Sequence, residues 1–415
     1  MKNVVIMCDT YLPKASPNGI CVSQVAKALA ERNDNVRIVT TLNIDGQKTV
    51  ENLDGVDVYR VDPGFVVREL MATEGKTDAA SVKRRAKALK ISSLSGAING
   101  FRYPLTAPVQ VKNYYNCVEQ LNKEQKIDVL VCCYHKIAAV SAGIKFKKAH
   151  PETKFIVYTL DAISGGLVFP VLHSMKISMN SLKRWEKKIF TSVDKAFVME
   201  SHRSHYDNKE YDIYREKLEF LDIPLVTTDR NGSYERKDKL HFLYTGSMST
   251  GTANPKIFLE LLKKLDSEEF VFDIYGGITP EIEEVVKGAK LPDSKIVLHG
   301  KVPYEEIDSI QKNADILLNF GNANPCMIPC KIFEYISTGK KILSFTHSEK
   351  DSSLPYLKIY PNALIIDENG NEEENLQKIK EFMAKEPTLI DKEMLEKLYE
   401  KNIGKYFCKQ IDLLN

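Results

Sequence analysis

The sequence predicts an α/β protein built from two doubly wound, Rossmann-like domains, and three observations lead there. The chain has 415 residues, 43% of them hydrophobic, which is enough for two separately cored domains and long for one. Short apolar, strand-like runs alternate with amphipathic helical stripes in two successive series, the pattern of mainly parallel sheets covered on both faces. Between the series, over 223–239, the periodicity stops and charged, Pro and Gly residues take over, as in a linker. The expected domains are 1–230 and 231–395, followed by a helical tail over 396–415.

In the first series NVVIM is a strand, CDTYLPKASPNG a loop, and ICVSQVAKALAERN a helix with Ile20, Val22, Val25, Ala26 and Leu29 on one stripe. VRIVT, IDVLVCCY, KFIVYTL and KAFVM follow as strands, with helices around 137–148 and 181–191. Asn18 and Gly19 open the first helix. Glycine lets a ligand approach the backbone and a helix start favours anions, although an ordinary Asn-Gly turn reads the same way. Asp161 ends the strand KFIVYTL, where a carboxylate can serve as a base toward a hydroxyl or cap the next turn. His135 is also strand-terminal and reads best as a loop tether. His202 and His205 lack a third ligand at metal spacing and read as a surface helix.

The second series begins with KLHFLYTGS and continues through a helix over 255–265, FVFDIYG, a helix over 280–287, KIVLHG, a helix over 304–313 and ADILLNF. Then comes NANPCMIPCKIFEYISTGKKILSF: a loop with two prolines, a helix from near Cys330, a stop at Gly339 and another strand. Ligands of open α/β sheets bind beyond the carboxyl ends of strands, so this loop and first helical turn lie where chemistry is expected. Lys331 and Glu334 stand three apart on neighbouring turns of one face. Such a pair suits a phosphate and a sugar diol held together; it also suits a plain exposed ion pair worth a few tenths of a kcal/mol. The chain contains no GxGxxG, which argues against a dinucleotide oxidoreductase.

The segment from Cys326 to Tyr335 resembles the nucleotide-binding signature of retaining glycosyltransferases with the GT-B fold. In that signature two glutamates lie eight positions apart and the second binds the ribose of a nucleotide sugar. Glu334 matches the second glutamate, and Cys326 stands where the first commonly touches the donor sugar. Some bacterial envelope and capsular polysaccharide enzymes of the family carry a closer version, matched here by Pro329, Cys330, Lys331, Ile332, Phe333, Glu334 and Tyr335. Tyr244, Thr245, Gly246 and Ser247 resemble the family's glycine turn beneath the diphosphate. Ser247 replaces a common arginine there, and Lys256 only approximates a lysine found further on, where a solvated residue in a first helical turn is the simpler reading.

The resemblance implies two domains facing across a cleft, with the donor bound mainly by the C-terminal one and the tail helix packed back on the N-terminal one. It implies donor contacts from Gly19, Gly246, Ser247, Val302 (through its backbone, toward the base), Cys326, Lys331 and Glu334, and acceptor-side chemistry at Asp161. The implied activity is hexosyl transfer, most commonly from a UDP-sugar, to a hydroxyl of a glycan or lipid-linked acceptor with retention. No cofactor is expected, and the absence of a D-x-D triplet points away from a metal. A nucleotide-sugar 2-epimerase of the same architecture, or a sugar-nucleotide-binding protein with a decayed site, are the alternatives.

The net charge of +2 gives no global field for nucleic acid, which is not an expected partner. Eight cysteines, at 8, 21, 117, 132, 133, 326, 330 and 408, form no CxxC pair, so a reduced, cytoplasmic protein is expected. Asp9 breaks the N-terminal apolar run too early for a signal peptide. Over 81–103, Lys83, Arg84, Arg85, Lys87, Lys90 and Arg102 interleave with Ala86, Ala88, Leu89, Ile91, Leu94, Ile98 and Phe101. This basic amphipathic pattern suits peripheral contact with the anionic inner face of a membrane, or a solvated helix with a core stripe.

Overall fold

The computed structural model describes residues 1–99, 107–135, 137–165, 175–227, 239–251, 253–265, 270–292, 294–321 and 326–414. The chain forms two compact units: Met1–Pro224 with Gly404–Asn415, and Leu225–Ile403.

The first unit holds an eight-stranded sheet of β1 (Asn3–Met7), β2 (Asn35–Thr41), β3 (Val50–Leu53), β4 (Val56–Val61), β5 (Val129–Tyr134), β6 (Lys154–Thr159), β7 (Lys195–Met199) and β8 (Leu218–Leu221), in the order β3-β4-β2-β1-β5-β6-β7-β8. All neighbours are parallel except the β3–β4 hairpin. Every residue of β1 is buried, as expected of a strand covered on both faces. The strand order reverses between β1 and β5, so a topological switch point lies at their carboxyl ends.

The second unit holds a six-stranded, wholly parallel sheet of β9 (Leu240–Thr245), β10 (Phe270–Tyr275), β11 (Ile296–Gly300), β12 (Ile316–Phe320), β13 (Lys341–Thr346) and β14 (Ala363–Asp367), in the order β11-β10-β9-β12-β13-β14. Here the order reverses between β9 and β12. Their pairing covers only Phe242–Ile316 and Leu243–Leu317, so the two strands part toward their carboxyl ends and leave room there. Phe242, Phe258, Phe272, Phe320 and Phe345 fill the core beneath.

The division falls at 224/225 rather than 230/231, and residues 228–238 of the expected linker lie outside the described residues. The returning tail is also shorter than expected. The Lys392–Leu398 helix stays with the second unit, where Leu395 is fully buried and the Tyr399 hydroxyl donates to the Tyr356 carbonyl at 3.0 Å. Only the Gly404–Asp412 helix joins the first unit, packed on the Pro17–Glu31 helix. A Cβ on Gly404 would stand 2.8 Å from the Gln24 carbonyl oxygen, so glycine permits the close crossing. Phe407 then packs edge-on against Tyr158 and Phe197, with centroids 5.1 and 5.0 Å away, and Arg32 donates to the Cys408 carbonyl at 3.0 Å.

Candidate functional site

The second unit's switch point brings the candidate residues Gly246, Ser247, Lys331 and Glu334 together. The Lys331–Ser337 helix, entered from the loop after β12, runs beside the turn that follows β9. It buries Ile332, Phe333, Tyr335 and Ile336 and leaves Lys331 half-buried at its start. The Tyr335 hydroxyl accepts from the Thr245 N–H at 2.9 Å, fixing the helix to the end of β9. That anchor sets Lys331 over the glycine turn: a Cβ built on Gly246 would lie 3.1 Å from the lysine Nζ. Gly246 has φ +132°, which a side chain would strain.

Two neighbouring turns brace this one. The Gly246 N–H donates to the Tyr275 carbonyl at 2.8 Å, the Gly276 N–H to the Gly300 carbonyl at 2.7 Å, and the Met248 N–H to the Gly277 carbonyl at 2.9 Å. The carboxyl ends of β9, β10 and β11 are thereby laced together. Gly276, with φ +143°, has no room for a side chain, because its Cβ would fall 1.9 Å from the Gly246 carbonyl oxygen. With the Gly246 and Met248 amides committed, Ser247, which is exposed, offers the turn's uncommitted N–H among the described residues.

Lys331 Nζ donates to the Tyr244 hydroxyl and lies 3.7 Å from the centroid of that ring. The same hydroxyl donates to the Ser247 carbonyl at 2.9 Å, so lysine, tyrosine and turn form one chain. Withdrawal of the ammonium from water pushes the Lys331 pKa down to about 7, and attraction from Glu334 offsets only part of this. The lysine is thus a cation short of counter-charge, placed where an anion would hold its proton.

Glu334 is only 8% exposed. Its Oε1 accepts from the Tyr304 hydroxyl at 2.9 Å and its Oε2 from Gln311 Nε2 at 3.4 Å. Gln311 is fully buried and also donates to Thr245 Oγ1 at 3.1 Å. A carboxylate offers about four acceptor positions, so two remain, the number a sugar diol needs. Tyr304 and Gln311 were not singled out in the sequence. Gln311 is the penultimate residue of the largely polar Tyr304–Lys312 helix, and its bonds to Thr245 at the end of β9 and to Glu334 are what turn it inward.

The other second-unit candidates are less engaged. Val302 is half-buried just beyond β11, with Lys301 exposed beside it. Lys301 reaches back over the turns, since a Cβ on Gly277 would lie 3.2 Å from its Cε. Lys256 is exposed at the start of the Lys256–Leu262 helix. Cys326 is half-buried, and burial raises its thiol pKa. Residues 322–325 of the loop before it lie outside the described residues. Among the described residues no three His, Cys, Asp or Glu side chains are grouped to hold a metal ion.

In the first unit, Asp161 follows β6 and is exposed, and its Oδ2 accepts from Asn18 Nδ2 at 3.2 Å. Strand end and first helical turn are thus brought together at the carboxyl edge of the sheet. Gly19 faces inward instead of outward: a Cβ would stand 2.3 Å from the Thr10 carbonyl oxygen, and its N–H donates to the capping Ser16 hydroxyl at 3.3 Å. Its missing side chain serves chain packing. His135 is exposed beyond β5. The surface-helix reading of His202 and His205 is overturned. His202 is fully buried, and His205 contributes to a buried polar cluster with Ser164, Glu186 and Tyr211. The histidines turn inward because Tyr206 and Tyr211 on the same stretch enter the core.

No protein-family model and no curated protein sequence matches the chain, whereas solved structures do so over nearly its full length. An α,α-trehalose-phosphate synthase (UDP-forming) from Burkholderia xenovorans, in complex with glucose-6-phosphate, superposes with a TM-score of 0.63 at 9% identity, over 99% of this chain and 99% of its own. A sucrose-phosphate synthase from Thermosynechococcus elongatus gives 0.61 at 11% identity, over 99% and 94%. WaaG, a glycosyltransferase involved in lipopolysaccharide biosynthesis, gives 0.53 at 12% identity, over 99% and 96%. The fold is GT-B. The two mainly parallel sheets, each with its own switch point, are the two Rossmann-like domains of GT-B, and the Lys331–Ser337 helix occupies the switch point of the C-terminal one.

Proposed function

We propose that the protein is a glycosyltransferase that moves a hexosyl group from a nucleotide sugar, a UDP-sugar by preference, to a hydroxyl of a glycan or lipid-linked acceptor. The observation that carries this reading is the pairing of Lys331 and Glu334 at the β9–β12 switch point. One is an ammonium held over a glycine turn, the other a carboxylate with two acceptor positions to spare. The spacing suits a nucleoside diphosphate, with phosphates at Lys331 and the Ser247 N–H and the ribose diol at Glu334. The backbone near Val302 takes the base and Cys326 the sugar side. The GT-B fold, shared with proteins described as UDP-forming or as glycosyltransferases, supports it.

When the glycosidic bond to the nucleotide breaks, negative charge collects on the leaving diphosphate. Lys331 and the turn amide oppose that charge, which lowers the barrier more than it tightens ground-state binding. Asp161 accepts the proton of the attacking hydroxyl, with Asn18 orienting its carboxylate. Gly19, walled in by Thr10, shapes the turn that carries Asn18. Transfer proceeds with retention and without a metal, so turnover persists in EDTA; turnover that vanishes in EDTA and returns with Mg²⁺ or Mn²⁺ would refute that part.

Peripheral contact with an anionic membrane face belongs to the same reading. The Ala79–Asn99 helix exposes Val82 and Leu89 (50% and 52%) beside exposed Lys83, Lys87 and Lys90. Residues 100–103 of that segment lie outside the described residues. Among the described residues no helix is long and apolar enough to cross a membrane, and the cytoplasm is the proposed location. A thermal-shift screen over UDP-, GDP-, CMP- and dTDP-sugars tests the donor assignment. Stabilisation by the UDP series is expected, and indifference to all four series would overturn it.

A further inference from the structure

The first unit buries a carboxylate for which the proposed chemistry has no use. Glu186, on the Met175–Ser192 helix, is fully buried. It accepts from the Ser164 N–H at 3.3 Å, from the Ser164 hydroxyl, from the Tyr206 hydroxyl at 3.0 Å and from the Tyr211 hydroxyl. His205 Nε2 stands 3.5 Å from the carboxylate, 3.2 Å from Ser164 Oγ and 3.1 Å from Tyr211 Oη. Burial by itself would raise the Glu186 pKa, but hydrogen bonds from His205, Ser164 and Tyr211 overcome it and hold the group below its ordinary value.

A buried, unpaired carboxylate would be strongly destabilising. Satisfying one with five donors from two chain segments, the loop at Ser164 and the stretch from His205 to Tyr211, is far more than filling the same volume requires. The geometry does not make a nucleophile of Ser164. A serine–histidine–acid relay uses both ring nitrogens of the histidine, whereas here the single Nε2 faces serine, tyrosine and glutamate at once.

What the cluster does hold is a loop. Ser164 is bound to Glu186 through both its amide and its hydroxyl, and the imidazole of His205 lies over Gly165, where a Cβ would come within 2.9 Å of the ring. Between Ser164 and β6 the chain buries Leu160, Ala162 and Ile163 and exposes one side chain, Asp161. Fixing Ser164 therefore fixes the direction in which Asp161 points, toward Asn18.

We propose that Glu186 is a positioning residue: with Tyr206, Tyr211 and His205 it anchors the loop 160–165 so that the Asp161 carboxylate is preset for the acceptor hydroxyl. The inference rests on the acceptor-side reading of Asp161. It makes the catalytic loop a rigid wall and separates its support from donor binding in the other unit.

Hydrogen–deuterium exchange of the whole chain decides it, using Glu186→Met, which is apolar and of similar size, Glu186→Gln, whose amide oxygen still accepts from the Ser164 N–H and the Tyr206 hydroxyl while its NH2 donates to the Ser164 and Tyr211 hydroxyls, turned to accept, and Ser164→Ala. Amides of 160–165 should exchange at least about tenfold faster in the Met variant and several-fold faster in the Ala variant. The Gln variant should return them to near wild-type protection, while the β5 amides stay unchanged throughout. Wild-type protection in the Met variant, which is the outcome for mere packing, overturns the proposal, as does a general rise across the first unit in Ser164→Ala. UDP affinity is measured on the same proteins. Failure of the wild type to bind UDP overturns the donor reading and leaves the exchange result to judge the anchor.

Discussion

Replacing Lys331 by methionine should make the protein more stable and a poorer binder of nucleotide sugars, and pH should separate the two effects. The free protein holds this lysine at a pKa of about 7, against an ordinary value of about 10.4. Between those pH values the unfolded chain binds more protons than the folded one, so stability rises with pH across that window. Below pH 7 the folded protein carries the full penalty of the half-buried ammonium. The ceiling on that penalty is about 4–5 kcal/mol, and water reaching the lysine reduces it to about 1–2 kcal/mol. Lys331→Met should therefore raise Tm at pH 6, and the gain should shrink toward pH 10. UDP-glucose, whose diphosphate does not titrate in this range, needs the charged lysine. Its affinity for wild type should fall about tenfold from pH 6 to pH 8, and the variant should lose about 10–150-fold at pH 6 with a flat pH profile. Titration calorimetry at three pH values reads both. A flat wild-type profile, or the same slope in Lys331→Met, would refute the assignment of the diphosphate to Lys331.

Gly276→Ala places a Cβ 1.9 Å from the Gly246 oxygen at φ +143°, so it should destabilise the protein by about 2–4 kcal/mol and weaken UDP binding, as seen by thermal shift with and without nucleotide. Asp161→Asn should keep UDP affinity while sugar transfer drops about 10²–10⁴-fold; equal losses in both would move Asp161 out of the acceptor role. Truncation before Gly404 removes the buried Phe407, Cys408 and Ile411 from the first unit, so limited proteolysis should open that unit first. Unchanged protection of residues before Pro224 would contradict the docking seen here.

The strands that dominate the two cores were legible because each is a short run of apolar residues buried on both faces. β1, β5, β9 and β12 read directly. β3 and β4 toward one edge of the first sheet, and β14 at the edge of the second, were missed for the converse reason, while β8, with three of its four residues buried, was missed because it is only four residues long with a glutamate among them. VENL and VDVYRV interleave exposed or half-buried residues, and ALIID is mostly half-buried. Lys331 and Glu334 could be found because helical spacing puts them on one face. Their partners Tyr304 and Gln311 could not, and Tyr244 was read only as part of the glycine turn, since those contacts depend on which strands become neighbours. Glu186, His202 and His205 show the complementary limit. Polar residues on a charged stretch look solvated until the tyrosines at 206 and 211 are seen to enter the core and take them inside.

The central claim is that the carboxyl edge of the second sheet holds a nucleoside diphosphate through Glu334 and Lys331. Calorimetric titration of UDP into wild type and into Glu334→Ala, with folding checked by circular dichroism, tests it most directly. Loss of a charge-assisted acceptor for the ribose diol should weaken binding by about 1.5–3 kcal/mol in a protein that remains folded. Equal affinity in the two proteins, or no UDP binding by wild type, would contradict the account.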